Sequence, residues 1–192
     1  IGGIVGKTGE AEIVDCKYNG QSITNILTSD GHYYMAHNYI GGIAGVNSEY
    51  SDKELLIKRC IANVDGILYG ETAVPNIGGV LGSIDGEKES RIESSLAIAK
   101  KIDGRTTKSG EVYKVNKGYI VGINEGQGQI SSTYYGSDVE LPNNGSQDVI
   151  NTEGTARSTR LMKMPSFLKN QLGYGEYVSV ENLKENPDAV WV

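Results

Sequence analysis

A glycine-rich motif occurs four times along this chain of 192 residues. The copies begin at residues 1, 40, 77 and 117, and a regular period of about 38 residues is typical of repeat proteins, whose units stack on one another. The copies are IGGIVGKT (1–8), IGGIAGVN (40–47), IGGVLGSI (77–84) and KGYIVGIN (117–124). The fourth copy has lost its first Ile and one Gly. The motif therefore predicts that the chain is an array of similar units.

A second pattern follows each glycine motif: an Ile, two mostly polar residues and a small residue. Its copies are IVDC (13–16), IKRC (57–60), IESS (92–95) and ISST (130–133). Short apolar alternation between Gly, Asn and Asp turns is typical of β-strands, and no repeat contains an apolar stripe of helical spacing long enough for a helix. Each repeat is therefore predicted to form two or three short strands.

Identical apolar positions in each copy predict an all-β solenoid, in which equivalent residues of successive units lie about 4.8 Å apart. Three inward-facing ladders are expected. The first contains Ile4, Ile43, Val80 and either Val121 or Ile120; the second contains Ile13, Ile57, Ile92 and Ile130; the third contains Cys16, Cys60, Ser95 and Thr133. The paired glycines would lie at corners, where they allow either a positive φ or a close approach of two backbones.

These strings resemble the GLUG motif, a Gly-Gly-apolar-x-Gly repeat of bacterial secreted and surface proteins. The segment IGGIVGKTGEAEIVDCKYNGQSI and its later copies carry the resemblance, which covers residues 1–143. Filamentous-haemagglutinin-like adhesins and the N-terminal regions of IgA-specific zinc metallopeptidases contain such repeats. The resemblance implies a right-handed parallel β-helix, here of about four coils, and an extracellular location, either secreted or at the cell surface.

The sequence changes character after Asn143. Residues 1–143 are the predicted repeat region, 144–156 a polar linker and 157–192 a small C-terminal α/β cap. Pro165 can begin a short helix and Gly173 can end it. Six apolar residues follow a helical spacing in this region: Leu161, Met162, Met164, Phe167, Leu168 and Leu172. Because a stack of strands exposes an apolar end, we expect the cap to cover that end.

The charge balance excludes some classes of partner. The net charge is −6 and no basic cluster is longer than the pair Lys100 and Lys101, which argues against nucleic acid and anionic membranes. No stretch approaches the roughly 20 apolar residues of a membrane span, so no membrane insertion is expected. The chain opens on Ile1 inside the first motif, and we interpret it as part of a longer chain whose further domains are natural partners.

Several strings resemble ligand sites but fit structural roles better. GGIVGKT (2–8) lacks the first glycine of a phosphate-binding loop. His32 and His37 have no Cys or carboxylate at ligand spacing. The acidic strings at 83–90 and 49–54 lack regular calcium-ligand spacing and contain lysines. We therefore predict no metal site and no cofactor.

The two cysteines, Cys16 and Cys60, occupy the same position in their repeats. A disulfide would explain these two residues alone, whereas packing of small side chains also explains Ser95 and Thr133 at that position. We therefore predict free, buried thiols.

A carbohydrate-active enzyme is the main catalytic alternative. Such enzymes use pairs of carboxylates, and the candidates here are Asp15, Lys58, Arg59 and Glu93, which the repeat pattern places outward on neighbouring units. Mixed outward charges are equally typical of a solvated sheet face, and aromatic platforms for a sugar are scarce there. We therefore predict no catalytic residues and no enzymatic activity.

The sequence favours a non-catalytic structural or binding module, adhesin-like, whose partner is a host or cell-surface protein or a glycan. Recognition is expected in the segments that vary between copies, at 28–39, 46–56 and 105–116. The candidate contact residues are Tyr33, Tyr34, Tyr39 and Tyr50, because Tyr offers a large contact area at small entropic cost. The alternative function is an accessory region that positions substrate for a secreted metallopeptidase. The peptidase signature itself, His-Glu-x-x-His, does not occur in this sequence.

Overall fold

The structure is a computed structural model that describes residues 1–25, 38–47, 54–69, 75–84, 90–104, 107–108, 111–112, 115–126, 128–143 and 148–173. Within these residues the chain is mostly β-strand, and two short helices follow the last strand. None of the described helices has the length and apolar character needed to cross a membrane.

Each repeat contributes three or four short strands. The first repeat contains β1 (Val5–Thr8), β2 (Ala11–Val14) and β3 (Lys17–Asn25). The second contains β4 (Asn38–Gly41), β5 (Ala44–Asn47), β6 (Leu55–Lys58) and β7 (Ile61–Tyr69). The third contains β8 (Pro75–Gly78), β9 (Leu81–Ile84), β10 (Ser90–Glu93) and β11 (Leu96–Gly104), and a small hairpin follows, β12 (Thr107–Lys108) and β13 (Glu111–Val112).

The fourth repeat and the tail complete the described chain. The fourth repeat contains β14 (Asn116–Gly118), β15 (Val121–Asn124), β16 (Gln129–Ser131) and β17 (Tyr134–Gly136). The tail contains β18 (Val149–Asn151), β19 (Thr155–Arg157), α1 (Thr159–Met162) and α2 (Pro165–Leu172). β18 and the first two residues of β19 lie within 144–156, the stretch predicted to be a linker, so that stretch continues the β-structure.

Equivalent strands of successive repeats pair with one another in four parallel sheets. Sheet A has the order β4-β8-β14-β18, sheet B β1-β5-β9-β15, sheet C β2-β6-β10-β16 and sheet D β3-β7-β11-β17-β19. The pairing between β12 and β13 is antiparallel. The prediction of an all-β, parallel arrangement is confirmed.

The register of the sheets aligns the repeats residue by residue. In sheet C, Ile13 pairs with Ile57, Ile57 with Ile92 and Ile92 with Ile130. In the glycine motif, Ile43 N–H donates to the Val80 carbonyl and Val80 N–H to the Ile120 carbonyl, both at 2.9 Å. The fourth-repeat residue of the first ladder is therefore Ile120, since Val121 pairs with Leu81.

The ladder residues of the second and third repeats are all buried, whereas each end repeat has members that are not: Ile4 and Cys16 in the first and Ile130 in the fourth. Ile43, Val80 and Ile120 are fully buried, whereas Ile4 is 43% exposed. Ile4 is exposed because the first repeat has a described neighbouring repeat on one side only. The inward side chains of the four sheets form two contiguous apolar clusters, one around Ile57 and Ile92 and the other around Ile67 and Ile77.

The paired glycines are needed for close backbone approach. A Cβ on Gly42 would lie 2.1 Å from the Gly79 carbonyl oxygen, and one on Gly41 would lie 1.9 Å from that of Ala44. Neither residue has a positive φ, a conformation that glycine adopts at Gly154 and Gly173 among the described residues. Two roles were expected for these glycines, a positive φ and a close approach of two backbones. Gly41 and Gly42 have the second role.

The second glycine of the motif faces sheet D across a thin interior. A Cβ on Gly42 would lie 2.5 Å from the Cβ of Ala62, and the equivalent distance from Gly79 to Ala97 is 2.7 Å. In the fourth repeat, Tyr119 replaces this glycine and its ring stacks on that of Tyr135, with centroids 4.1 Å apart. The two halves of each repeat therefore contact each other directly.

The corner between sheets C and D has a left-handed backbone in every repeat. The residues there are Asp15, Arg59, Ser94 and Ser132, with φ values of 55°, 51°, 49° and 48°. The small residue that follows each of them donates a hydrogen bond to the carbonyl two residues earlier. Ser95 Oγ donates to Glu93 O at 2.8 Å and Thr133 Oγ1 to Ser131 O at 2.9 Å, while each Cys Sγ makes the same contact at 3.4 Å.

One buried position of sheet A contains a charged side chain. Lys117 aligns with Ile77 and Ile40 in sheet A, and its side chain is fully buried. Its Nζ lies 2.9 Å from Oδ2 of Asp148, whose side chain is 2% exposed, and also donates to the Pro142 carbonyl. This buried ion pair joins the fourth repeat to the segment that leads into β18.

The two helices lie on the outer face of sheet D, whereas the sequence predicted that they would cover the end of the stack. Met162, Phe167, Leu168 and Leu172 are buried there, and Pro165 and Gly173 begin and end α2 as predicted. Leu161 and Met164 are exposed at 39% and 46%. The sheet side of this contact consists of Ile61, Leu96, Ile98 and Tyr134. The helices cover this face because its outward side chains are apolar.

Candidate binding surface

The variable segments proposed for recognition are largely beyond the described residues. Tyr33, Tyr34 and Tyr50 lie outside them, so their role stays a prediction. Tyr39 is half-buried in β4, and its carbonyl oxygen accepts a hydrogen bond of 2.5 Å from the amino group of Ile1. The Tyr39 backbone therefore contributes to the contact between the first two repeats.

The four residues considered for sugar chemistry form two ion pairs on the outer side of sheet C and its corner. Arg59 donates two hydrogen bonds of 2.5 Å to the carboxylate of Asp15. Lys58 Nζ lies 3.3 Å from Glu93, and Arg91 lies 3.1 Å from the same carboxylate and also pairs with Glu54. Each carboxylate is thus engaged by a cation of its own or a neighbouring repeat. The arrangement is a charge ladder rather than an acid facing a base.

The cysteines are free thiols. Cys60 is fully buried, and burial, as the largest cause, raises its pKa from 9.0 to about 12. Because the thiolate is the reactive form, Cys60 is a packing residue at neutral pH. In the described part of the chain, no group of three or more His, Cys, Asp or Glu side chains could hold a metal ion. The strings at 83–90 and 49–54 and both histidines fall mostly or wholly outside that part.

A groove of about 230 Å³ lies between the outer face of sheet D and the helices. Its floor comes from three adjacent strands and its wall from α1, the residue after it, and α2. The floor residues are Lys17, Ile61, Asn63, Leu96 and Ile98, and the wall residues are Met162, Lys163 and Leu168. The lining combines five apolar side chains with the polar side chains of Lys17, Asn63 and Lys163, and small ligand sites combine the two kinds of residue.

Several contacts of the last repeat hold the helical wall in place. The ring of Phe167 packs edge-on against Tyr134, with centroids 5.1 Å apart, and the Tyr134 hydroxyl donates to Gln171 Oε1 at 3.0 Å. The guanidinium group of Arg157 also lies over the Tyr134 ring, 5.6 Å from the ring centroid. Thr159 Oγ1 donates to the Asp138 carboxylate. These contacts fix the helical wall to the last repeat.

The charged residues that line the groove are both lysines. Lys17 and Lys163 are exposed, and no acidic side chain belongs to the lining. Asp138 lies near one of them: a hydrogen bond from Thr159, and to a smaller extent the charge of Lys163, lowers the pKa of Asp138. Asn63 donates its side-chain N–H to Asn19.

This groove was not predicted from the sequence, although the sequence contains a signal for it. The four residues of LAIA (96–99) are all apolar, as are those of IANV (61–64) apart from Asn63, and a strand that is apolar on both faces is covered on both faces. An outer cover for sheet D follows from that pattern.

Comparison of the chain with protein-family models, with curated proteins and with solved structures gives no match.

Proposed function

We propose that this chain is a non-catalytic structural and binding module of a bacterial cell-surface or secreted protein, adhesin-like in its role. In this proposal the four parallel sheets form a right-handed β-helix of about four coils, of the GLUG-repeat type. The extracellular location and the partner class, a host or cell-surface protein or a glycan, belong to the same proposal.

The observation that carries the proposal is the in-register alignment of the repeats. Equivalent residues pair across all four repeats in sheet C, and the shared apolar positions of the second and third repeats are buried inside. Such an array gives a rigid scaffold whose invariant residues are used for packing, which leaves recognition to the outer faces and variable segments. The ion pairs on sheet C support a non-catalytic role, because the predicted carboxylates are engaged by lysine and arginine.

The test is a binding screen combined with two sets of variants. The purified chain is applied to immobilised glycans and to host-cell surface proteins, and bound partners are titrated by biolayer interferometry. We expect Tyr33→Ala, Tyr34→Ala and Tyr50→Ala to weaken binding, because they remove aromatic contact area from variable segments. Asp15→Asn and Glu93→Gln serve as controls and should leave binding unchanged.

Two results would contradict the proposal. One is the release of reducing sugar from a polysaccharide with a rate that falls when Glu93 is replaced by Gln. The other is a screen in which the chain binds no glycan and no surface protein.

A further inference from the structure

The charge of the groove selects an anionic ligand. Its two charged lining residues, Lys17 and Lys163, are both cationic, on a chain whose net charge is −6. Asp138 is outside the lining; its carboxylate accepts the Thr159 hydroxyl and also interacts with the charge of Lys163, so Lys17 is the lysine without this neighbouring carboxylate. Ammonium groups beside apolar side chains attract a carboxylate and form charge-assisted hydrogen bonds with it.

The floor of the groove selects an aliphatic group of limited size. Ile61, Leu96 and Ile98 form the floor, and Met162 and Leu168 form the wall opposite. The volume of about 230 Å³ is below the range of roughly 300–1,000 Å³ typical of drug-sized ligands. It suits one apolar side chain rather than a large molecule.

Asn63 favours a peptide over a free fatty acid. One N–H of its carboxamide is donated to Asn19, and its carbonyl oxygen is the acceptor that it can offer to a ligand. A peptide brings backbone N–H groups to that acceptor, whereas the acyl chain of a fatty acid brings none.

We infer that the groove binds the C-terminal residue of a peptide, with its aliphatic side chain on the floor of Ile61, Leu96 and Ile98 and its carboxylate paired with Lys17 and Lys163. This inference rests on the proposed binding function and names one ligand class for it. The occupant is the free end of a partner protein that terminates in an aliphatic residue such as leucine.

The experiment compares three synthetic tetrapeptides on the full chain by isothermal titration calorimetry. The probes are an N-acetylated peptide that ends in leucine with a free carboxylate, the same peptide as its C-terminal amide, and one that ends in serine with a free carboxylate. We expect the peptide that ends in leucine with a free carboxylate, here called the leucine acid, to bind at least about tenfold more tightly than either of the others. A hydrogen bond to a charged group contributes enough free energy for a tenfold difference in affinity.

Lysine variants locate the site. Lys17→Met and Lys163→Met keep the aliphatic stem and remove the charge. Each should lower the affinity for the leucine acid about tenfold without changing the melting temperature of the chain. Lys169→Met is the matched control, because Lys169 is exposed on α2 and is not part of the lining. Its affinity should equal that of the natural chain.

Three results would overturn the inference: no binding of the leucine acid at millimolar concentration, equal binding of acid and amide, or unchanged affinity in both lysine variants. Any of them would leave the proposed function standing if the screen with the tyrosine variants succeeds. If that screen fails while the leucine acid binds, the groove remains a peptide site and the adhesin-like role is lost.

Discussion

At the residue scale, the corner between sheets C and D shows how one conformation is built from different side chains. Asp15, Arg59, Ser94 and Ser132 all have a left-handed backbone, which is uncommon outside glycine and costs energy for a residue as bulky as Arg. The small residue that follows bonds the carbonyl two positions earlier and stabilises the turn. The small residue of the repeat is therefore selected for hydrogen bonding as well as for size.

The buried ladder is tested by placing a charge at one of its positions. Ile43→Asp puts an unpaired carboxylate among fully buried residues, and we expect a loss of about 4 kcal/mol or more in the free energy of unfolding. Ile4→Asp is the control in the same ladder, where 43% exposure limits the loss to about 1 kcal/mol. Urea denaturation followed by circular dichroism measures both. Equal losses would contradict the ladder.

The buried ion pair predicts a non-additive pair of substitutions. Lys117→Met leaves the Asp148 carboxylate buried without its cation, and breaking such a pair costs about 3–5 kcal/mol. The double variant Lys117→Ile with Asp148→Leu restores the isoleucine of the neighbouring repeats and should recover most of that loss. A single variant within about 1 kcal/mol of the natural chain in urea denaturation would refute the role of this pair.

The thiol of Cys60 predicts a stability that falls at high pH. Its pKa is about 12 in the folded chain against 9.0 for an ordinary thiol, so above pH 9.0 the unfolded state releases a proton that the folded state keeps. The stability contributed by the neutral thiol is complete below pH 9.0 and decreases towards pH 12, by up to about 1.4 kcal/mol per pH unit. The comparison is with Cys60→Ser, which should lack this part of the slope in denaturation curves. Parallel slopes would be evidence against it.

At the element scale, each strand is short and gains its stability from its neighbours in the sheet. The longest strands, β3, β7 and β11, all belong to sheet D, whose outer face the helices cover. Sheet D is therefore buried on both faces along part of its length, and this explains the apolar residues at successive positions of β7 and β11.

The glycine motif predicts a sharp difference between two glycines. A Cβ on Gly42 would overlap the Gly79 carbonyl oxygen at 2.1 Å, whereas a Cβ on Gly6 would meet nothing within 4 Å. Gly42→Ala should lower the free energy of unfolding by at least about 2 kcal/mol, because the packed backbones must separate. Gly6→Ala should change it by less than about 1 kcal/mol. Thermal unfolding of the two variants gives the comparison, and a tolerated Gly42→Ala would mean that the repeats are less closely packed.

At the scale of the whole molecule, the repeats interact mainly with their nearest neighbours. The central strands pair on both sides, as β7 does with β3 and β11, whereas β1 and β18 are edges of their sheets within the described residues. The stability of such an array is distributed unevenly along its axis.

Hydrogen exchange measures that distribution. We expect the amides of β7 and β11 to exchange slowest and those of β1 and β18 fastest among the paired amides, because edge strands open without disturbing the centre. Mass spectrometry of the exchanging chain separates these peptides. Uniform protection across all four strands would instead show that the molecule opens as one unit.

The predicted ladders show which alignments follow from the repeat pattern of the sequence and which do not. The alignment of Ile13, Ile57, Ile92 and Ile130 followed from the repeat period, because equivalent positions must coincide when identical units stack. The choice between Ile120 and Val121 did not follow, since both are apolar and adjacent. It depended on the register of β9 and β15.

The candidate site was predictable only in part. The groove needs residues from β3, β7, β11 and the helices, which are distant in the sequence, and no local motif marks their meeting. Apolar positions on both faces of β7 and β11 require a cover but do not say which segment provides it. The tyrosines of the variable segments stay predictions.

The sequence by itself determined the repeat period, the β-strand character of the repeats and the alignment of their equivalent positions, because these depend on the spacing of apolar residues and glycines along the chain. The tertiary structure decided where the helices lie, which carboxylate neutralises Lys117 and which residues take the left-handed corner. Those features arise from which surfaces remain uncovered and which polar atoms remain unpaired once the sheets have formed, and both quantities exist only in three dimensions.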